Sequence, residues 1–268
     1  MTAKQSLRTN WPEYLIEGCL IAAFMFSVCL LIVVFDSPHS AAYRVIPNGM
    51  SRLVILASAI GLIATLLIQS PWGKRSGAHL NPAVTIAFLR LRRVQPWNAL
   101  FYILAHLLGA CTGVLCILLI AGSTFSEPPI LCAITVPGSA GAFLAFLAET
   151  GISMLLMALI LFFIRSPRRA PFTGVAIGIL IATFIAVESP VSGTSMNPAR
   201  TLASAFPSHM WNHIWVYLCG PVLGMLIAAE VERRCSPVIE RRSAFNCAKL
   251  LHPNNVRCIH CGFEPLHD

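Results

Sequence analysis

Ser76–Ala83 reads SGAHLNPA, and Ser192–Ala199 reads SGTSMNPA. Each copy ends in Asn-Pro-Ala, and each opens an apolar stretch, Pro82–Leu91 after the first and Pro198–Phe206 after the second. Both stretches are too short to cross a bilayer, which takes about 20 helical residues. Proline at the first helical position loses nothing, because that amide has no partner inside the helix. The asparagine before it caps the helix end. The two stretches are therefore read as half-helices that enter the membrane, stop midway and point their amino ends at one spot. Backbone of this kind is tolerated at depth only when it is buried in protein or lines a wet cavity.

The rest of the chain fits that reading. Of its 268 residues, 56% are hydrophobic and 11% charged, with a mean hydropathy of +0.74; soluble domains carry roughly 25% charged residues. Six long apolar runs are expected to span the membrane: Pro12–Phe35, Arg52–Gln69, Trp97–Gly122, Ser139–Ile164, Phe172–Glu188 and His213–Glu232. The polar start, Met1–Asn10, does not read as a cleavable signal. The expected organisation is a short amino-terminal segment (1–11), one membrane domain (12–233) built of two repeats (about 12–122 and 139–233), and a tail (234–268).

Charge sets the orientation. Of the 19 Lys and Arg residues, only Arg44, Arg52 and Arg200 fall in loops on one side of the expected bilayer. The positive-inside rule then places both termini in the cytoplasm, of a plasma or inner membrane. The net charge of +8 is read as this topology signal. It is not read as nucleic-acid binding, since the basic residues are scattered over many loops without a recognition motif.

The halves correspond beyond the triplets. Glu17 in YLIEG (Tyr14–Gly18) and Glu149 in FLAETG (Phe146–Gly151) each open an apolar run that leads to an SG-x-x-x-NPA. Three spans per half turn the second half upside down. Inverted repeats of this kind place the working site at the bilayer midplane, between the halves.

On these motifs the chain resembles the aquaporin (major intrinsic protein) family. The resemblance rests on SGAHLNPAVT at Ser76–Thr85, SGTSMNPAR at Ser192–Arg200 and GPVLG at Gly220–Gly224, and it covers about Tyr14–Ala228. Tyr102–Ala110 resembles the third-span motif, with His106 where the family usually has Gln. The fold implied is all-α: six transmembrane helices around two re-entrant half-helices, with one pore per subunit of a homotetramer. The function implied is passive passage of water and small neutral solutes such as glycerol, urea or ammonia. Asn81, Pro82, Ala83, Asn197, Pro198 and Ala199 would form the pore centre. There, two helix amino ends, each carrying a partial positive charge of about half a unit, repel cations and interrupt proton hopping.

The resemblance makes Arg200 part of the narrowest constriction, and it makes Glu17 and Glu149 braces for the loops before the half-helices. His79 is read as holding its loop by hydrogen bonds, with pore lining as the alternative; His106 is grouped with these supports. Counting back from Asn197 brings Ile185 to the filter position where water-selective members usually have His, with Thr194 at another filter position. The second-span position is either Ile60 or Gly61. Such a gate is wider and greasier than one built from an aromatic ring and a His. Thr201, however, departs from the glycerol-type pattern, which has Asp after the second NPAR.

The tail is unusual for the family. It carries Cys235, Cys247, His252, Cys258, His260, Cys261 and His267. Cys247, His252, Cys258 and Cys261 form a soft ligand set suited to tetrahedral Zn²⁺; the other reading is an unstructured tail with free thiols and no cofactor. Apart from a passive channel, two function classes stay open: a coupled secondary transporter, for which the spans offer only Glu17, Glu149 and His106 as ionisable groups, and a metal- or redox-sensing membrane protein. No nucleophile–base constellation stands out, so the chain is not read as an enzyme.

Overall fold

The computed structural model describes residues 1–235, 247–252 and 257–263. The remaining tail residues, among them Arg241, Arg242 and His267, lie outside the described residues. Eight helices make the membrane body: α1 (Ala3–Asp36), α2 (Gly49–Gln69), α3 (Pro82–Arg90), α4 (Pro96–Ala121), α5 (Gly141–Ile164), α6 (Thr173–Ser192), α7 (Pro198–Ser208) and α8 (Ile214–Cys235). Six of them are long and apolar enough to span a bilayer. The other two, α3 and α7, are the expected half-helices.

Two boundaries differ from the sequence reading by more than three residues. The first helix begins at Ala3, capped by Thr2, and Pro12 lies inside it. A proline lacks an amide and costs roughly 3 kcal/mol in a helix interior. What holds the extra turns is a polar lock at the start of the apolar run. Asn98 of α4 accepts hydrogen bonds from Asn10 Nδ2 at 3.1 Å and Tyr14 Oη at 2.6 Å, and Ser6 joins the same cluster. At the other boundary, α6 runs past Glu188 and through Pro190 to Ser192, closing on Gly193 at φ +80°. Hydropathy falls at Glu188, but its carboxylate accepts a hydrogen bond from Thr194 Oγ1 at 2.7 Å, so the helix need not end there.

The repeats are visible in how helices approach one another. In the first, Gly109 of α4 sits against the Gly18 carbonyl of α1; in the second, Gly224 of α8 sits against the Thr150 carbonyl of α5. The repeats meet where Gly61 of α2 faces Gly178 of α6, so closely that a Cβ on either would collide with the other's carbonyl. Small residues at such crossings replace the hydrophobic driving force that lipid removes. Gly61 is thus a packing residue.

Gly61→Leu is therefore expected to lower the thermal unfolding midpoint in detergent by overpacking, a loss on the order of 1–3 kcal/mol. Gly151→Ala, where nothing lies within 4 Å of an added Cβ, should leave it unchanged; intrinsic tryptophan fluorescence on heating reads both.

Candidate functional site

The site is built from backbone first. In each repeat a buried carboxylate gathers the amides of the loop before the half-helix. Glu17 Oε1 accepts from Ser76 Oγ at 2.6 Å and from the His79 amide at 3.1 Å; Oε2 accepts from the Leu80 amide at 2.9 Å and from His106 Nε2 at 2.8 Å. Glu149 Oε1 accepts from Ser192 Oγ at 2.8 Å and the Ser195 amide at 2.6 Å, and Oε2 from the Met196 amide at 2.8 Å. Tyr102 and Tyr217 donate to the carbonyls of Ser76 and Ser192 at 2.6 and 2.7 Å. His106 breaks the symmetry: in the second repeat, the GPVLG proline Pro221 stands in the corresponding region of α8 and offers no donor.

This bracing turns the other face of each loop toward the lumen. In a trans peptide the carbonyl points opposite to the amide hydrogen. With the amides of His79, Leu80, Ser195 and Met196 aimed at carboxylates, the carbonyls of Ala78, His79, Thr194 and Ser195 point away from them, into the cavity. The geometry requires left-handed backbone at Ala78 (φ +55°), Leu80 (+49°), Thr194 (+52°) and Met196 (+53°), matched positions in the two repeats. Left-handed backbone costs a non-glycine residue on the order of 1–2 kcal/mol, which the charged hydrogen bonds offset.

The half-helices meet end to end. Asn81 Oδ1 caps α3 by accepting from the Ala83 amide at 2.9 Å, and its Nδ2 donates to the Met196 carbonyl at 2.7 Å. Asn197 Oδ1 caps α7 through the Ala199 amide at 3.1 Å, and its Nδ2 donates to the Leu80 carbonyl at 2.8 Å. An amide nitrogen carries two hydrogens, so each asparagine keeps one for the lumen. Pro82, Ala83, Pro198 and Ala199 are buried behind them.

A cavity of about 320 Å³ passes this junction. It runs from Asp36, Leu53 and Ile185 at one end to Ile68 and Leu250 at the other. One wall is aliphatic, with Ile60, Ala64, Ile177, Ile181 and Ile185; the other carries the loop backbone, Asn81, Asn197 and Arg200. Ile60, Ile185, Thr194 and Arg200 all line it, and Gly61 does not. Arg200 Nη1 is buried without a hydrogen-bond partner among the described residues, which leaves a donor free for whatever occupies the cavity. Thr201 lies off the wall: its hydroxyl bonds Ser195 Oγ at 2.6 Å and Thr135 Oγ1 at 2.8 Å. The departure from the glycerol-type Asp therefore falls in the supporting structure rather than on the lumen.

His79 does two things. Its Nδ1 bonds Thr85 Oγ1 at 2.9 Å, and its Nε2 donates to the Ala248 carbonyl of the tail at 2.8 Å; its ring also reaches the cavity wall. Sequence reasoning missed Glu188, Asp36 and the tail residue Leu250 on or beside this wall. The acid at the end of an apolar run was a usable signal for Glu188; nothing local marks Leu250. In the tail, the ligand atoms of Cys247, His252, Cys258 and Cys261 lie within 4.8 Å of one another. The reading of these residues as an unstructured tail is not how they are placed. His260, outside the bilayer, is pushed down to about 4 by burial, so its imidazole stays neutral.

Six spans, two half-helices joined at their amino ends and a cavity at the junction define a membrane pore protein of the inverted-repeat class. The family profile described as Major intrinsic protein matches residues 10–231, and the chain belongs to that family. Similar sequences include Aquaporin NIP6-1 of Arabidopsis thaliana, 34% identical over 74% of this chain and 63% of its own length. Aquaporin AqpM of Methanothermobacter thermautotrophicus is 34% identical over 68% of this chain and 76% of its own length. Nodulin-26 of Glycine max is 36% identical over 66% of this chain and 63% of its own length. This chain thus spans somewhat under two thirds of two of these three relatives. The X-ray structure of the aquaglyceroporin from Plasmodium falciparum superposes with a TM-score of 0.71 at 21% identity, over 85% of this chain and 97% of that one, and shares its fold.

Glu149→Ala would leave two backbone amides and a hydroxyl without their buried acceptor, at about 1–3 kcal/mol each. Thermal unfolding is expected at a lower temperature and solute flux per folded channel should fall; Glu149→Gln, which retains one carbonyl acceptor, should lose less of both.

Proposed function

We propose that the protein is a passive channel for water and small uncharged solutes of the glycerol, urea or ammonia class, closed to protons and ions. The observation that carries this reading is the junction of α3 and α7. Two helix amino ends and two asparagine amides face one continuous cavity, with the donors of Arg200 beside them. Positive potential at that depth repels cations. Neutral oxygens find donors at the asparagines and Arg200, and acceptors along the loop carbonyls. A chain of donors and acceptors on one wall with hydrocarbon on the other suits molecules that pass by exchanging hydrogen bonds.

The aliphatic gate supports a solute range wider than water alone. Ile60 and Ile185 stand where a tighter gate would carry an aromatic ring and a His. Thr194, its hydroxyl held by Glu188, adds one small polar group. The family supports a homotetramer with a pore in each subunit. The concentration of Lys and Arg on one side supports cytoplasmic termini in a cell membrane. The coupled-transporter reading is not favoured, since Glu17, Glu149 and His106 are all engaged in bracing rather than lining the cavity.

Stopped-flow light scattering on proteoliposomes, in buffer with a metal chelator, tests the proposal across water, glycerol, urea and ammonia. Flux of water and at least one of the solutes, without dependence on a proton or sodium gradient, is the expected result. Ile185→Trp should cut glycerol flux well below that of Ile179→Trp, which changes an exposed position on the same helix; equal effects would remove Ile185 from the gate. Arg200→Val should raise proton or cation leak with water flux retained.

A further inference from the structure

The described tail residues, 247–252 and 257–263, are seated on the mouth of the pore. The Leu250 amide donates to the Gly77 carbonyl at 3.1 Å, and the Ala248 carbonyl accepts from His79 Nε2 at 2.8 Å. Gly77 and His79 belong to the loop that delivers the first Asn-Pro-Ala. Leu250 is 2% exposed, packs in one apolar cluster with Ile68, Ala78 and Val84, and forms part of the cavity wall at its basic end. The ring of His260 stacks on His79 at 5.6 Å and meets the Ser76 carbonyl at 3.3 Å. A segment this short has no core of its own, and chains below roughly 40 residues ordinarily need a metal or a disulfide to fold.

The segment carries what it needs. Cys247 Sγ and Cys258 Sγ are 3.3 Å apart, as are His252 Nε2 and Cys261 Sγ, and all four donor atoms lie within 4.8 Å of one another. A tetrahedral Zn²⁺ with bonds of about 2.0–2.3 Å separates its ligands by roughly 3.4–3.8 Å, so the cage fits with small adjustments. All four are free of disulfides. Cys258 and Cys261 stand on one tight turn, closed by a Gly262 amide to Cys258 carbonyl bond at 3.0 Å and by Gly262 at φ +74°. Three sulfurs and one imidazole form a soft set that selects zinc over magnesium or calcium.

We propose that Cys247, His252, Cys258 and Cys261 bind one Zn²⁺, and that the zinc-folded tail is a plug that holds Leu250 in the basic mouth of the pore. This rests on the channel reading above. Metal binding to so small a unit is also its folding free energy. Loss of zinc releases the tail, withdraws Leu250 and opens the mouth. Zinc in this chain is therefore a closing ligand: the pore conducts when the site is empty.

The test uses the full chain. Metal content of purified protein gives one zinc per subunit in the parent and none in Cys258→Ser/Cys261→Ser. In proteoliposomes, glycerol or water flux of the parent rises on internal chelation by about tenfold, the change from a mouth open a tenth of the time to one always open. The double variant shows the high flux with or without chelator, and Leu250→Ala keeps its zinc yet shows the high flux. A parent without zinc, or a Leu250→Ala variant with zinc and the low parental flux, overturns the plug. So does parental flux indifferent to chelation, which leaves the channel reading standing. No flux in any form, chelated or mutated, overturns the channel reading and the plug with it.

Discussion

Two buried carboxylates govern this structure. Bringing irregular backbone to the middle of a bilayer is forbidden unless its amides are satisfied by protein, and Glu17 and Glu149 satisfy them. Each takes two consecutive backbone amides and a serine hydroxyl from the loop ahead of a half-helix. Everything at the centre follows. With the amides drawn outward, the carbonyls face the lumen. With the loops fixed, the asparagines can cap their helices and cross to the opposite loop at the same time. An intramembrane acid is usually read as a functional group in its own right; here the charge is consumed in positioning neutral backbone, and the pore presents dipoles.

The two walls of the cavity differ in chemistry. Hydrogen bonding comes from main chain and two side-chain amides, which do not change protonation. Ile60 and Ile185 make the opposite wall aliphatic, and Arg200 brings a fixed charge to the cavity. The glycine-to-glycine crossing of Gly61 and Gly178 sets how near α2 and α6 stand, and so how wide the aliphatic wall leaves the passage. The first loop also meets something the second does not. His79, stacked between Phe88 and His260, links the loop beside Asn81 to the tail, whereas its counterpart Ser195 is tied to Thr201 within the membrane domain. One end of an otherwise symmetrical pore is thereby coupled to a segment outside the repeat.

Much of this was legible in the sequence because the decisive signals are local and repeated. Asn-Pro-Ala after a short polar loop states a helix start twice, and hydropathy alone separates six spans from two half-spans. Aligning the repeats pairs Glu17 with Glu149, and the family resemblance is what implies that they brace the loops. What failed to show was non-local or compensated. Pro12 looks like a helix start, but the polar lock to Asn98 carries the helix nine residues further back. Glu188 looks like a helix end, but Thr194 satisfies it. Ile60 and Gly61 differ by one residue of register, and only the crossing with Gly178 separates lumen from interface. Leu250 lies far along the chain from the pore, and no periodicity could place it there.

Neutral molecules are expected to pass the junction of α3 and α7, and charge is expected not to. Water permeability and proton flux measured in the same chelator-treated proteoliposomes decide between the two outcomes. A pore of this kind gives osmotic water flux with a low activation energy, while an imposed pH gradient decays no faster than in protein-free vesicles. A pH gradient that collapses in step with water or solute movement would contradict that expectation.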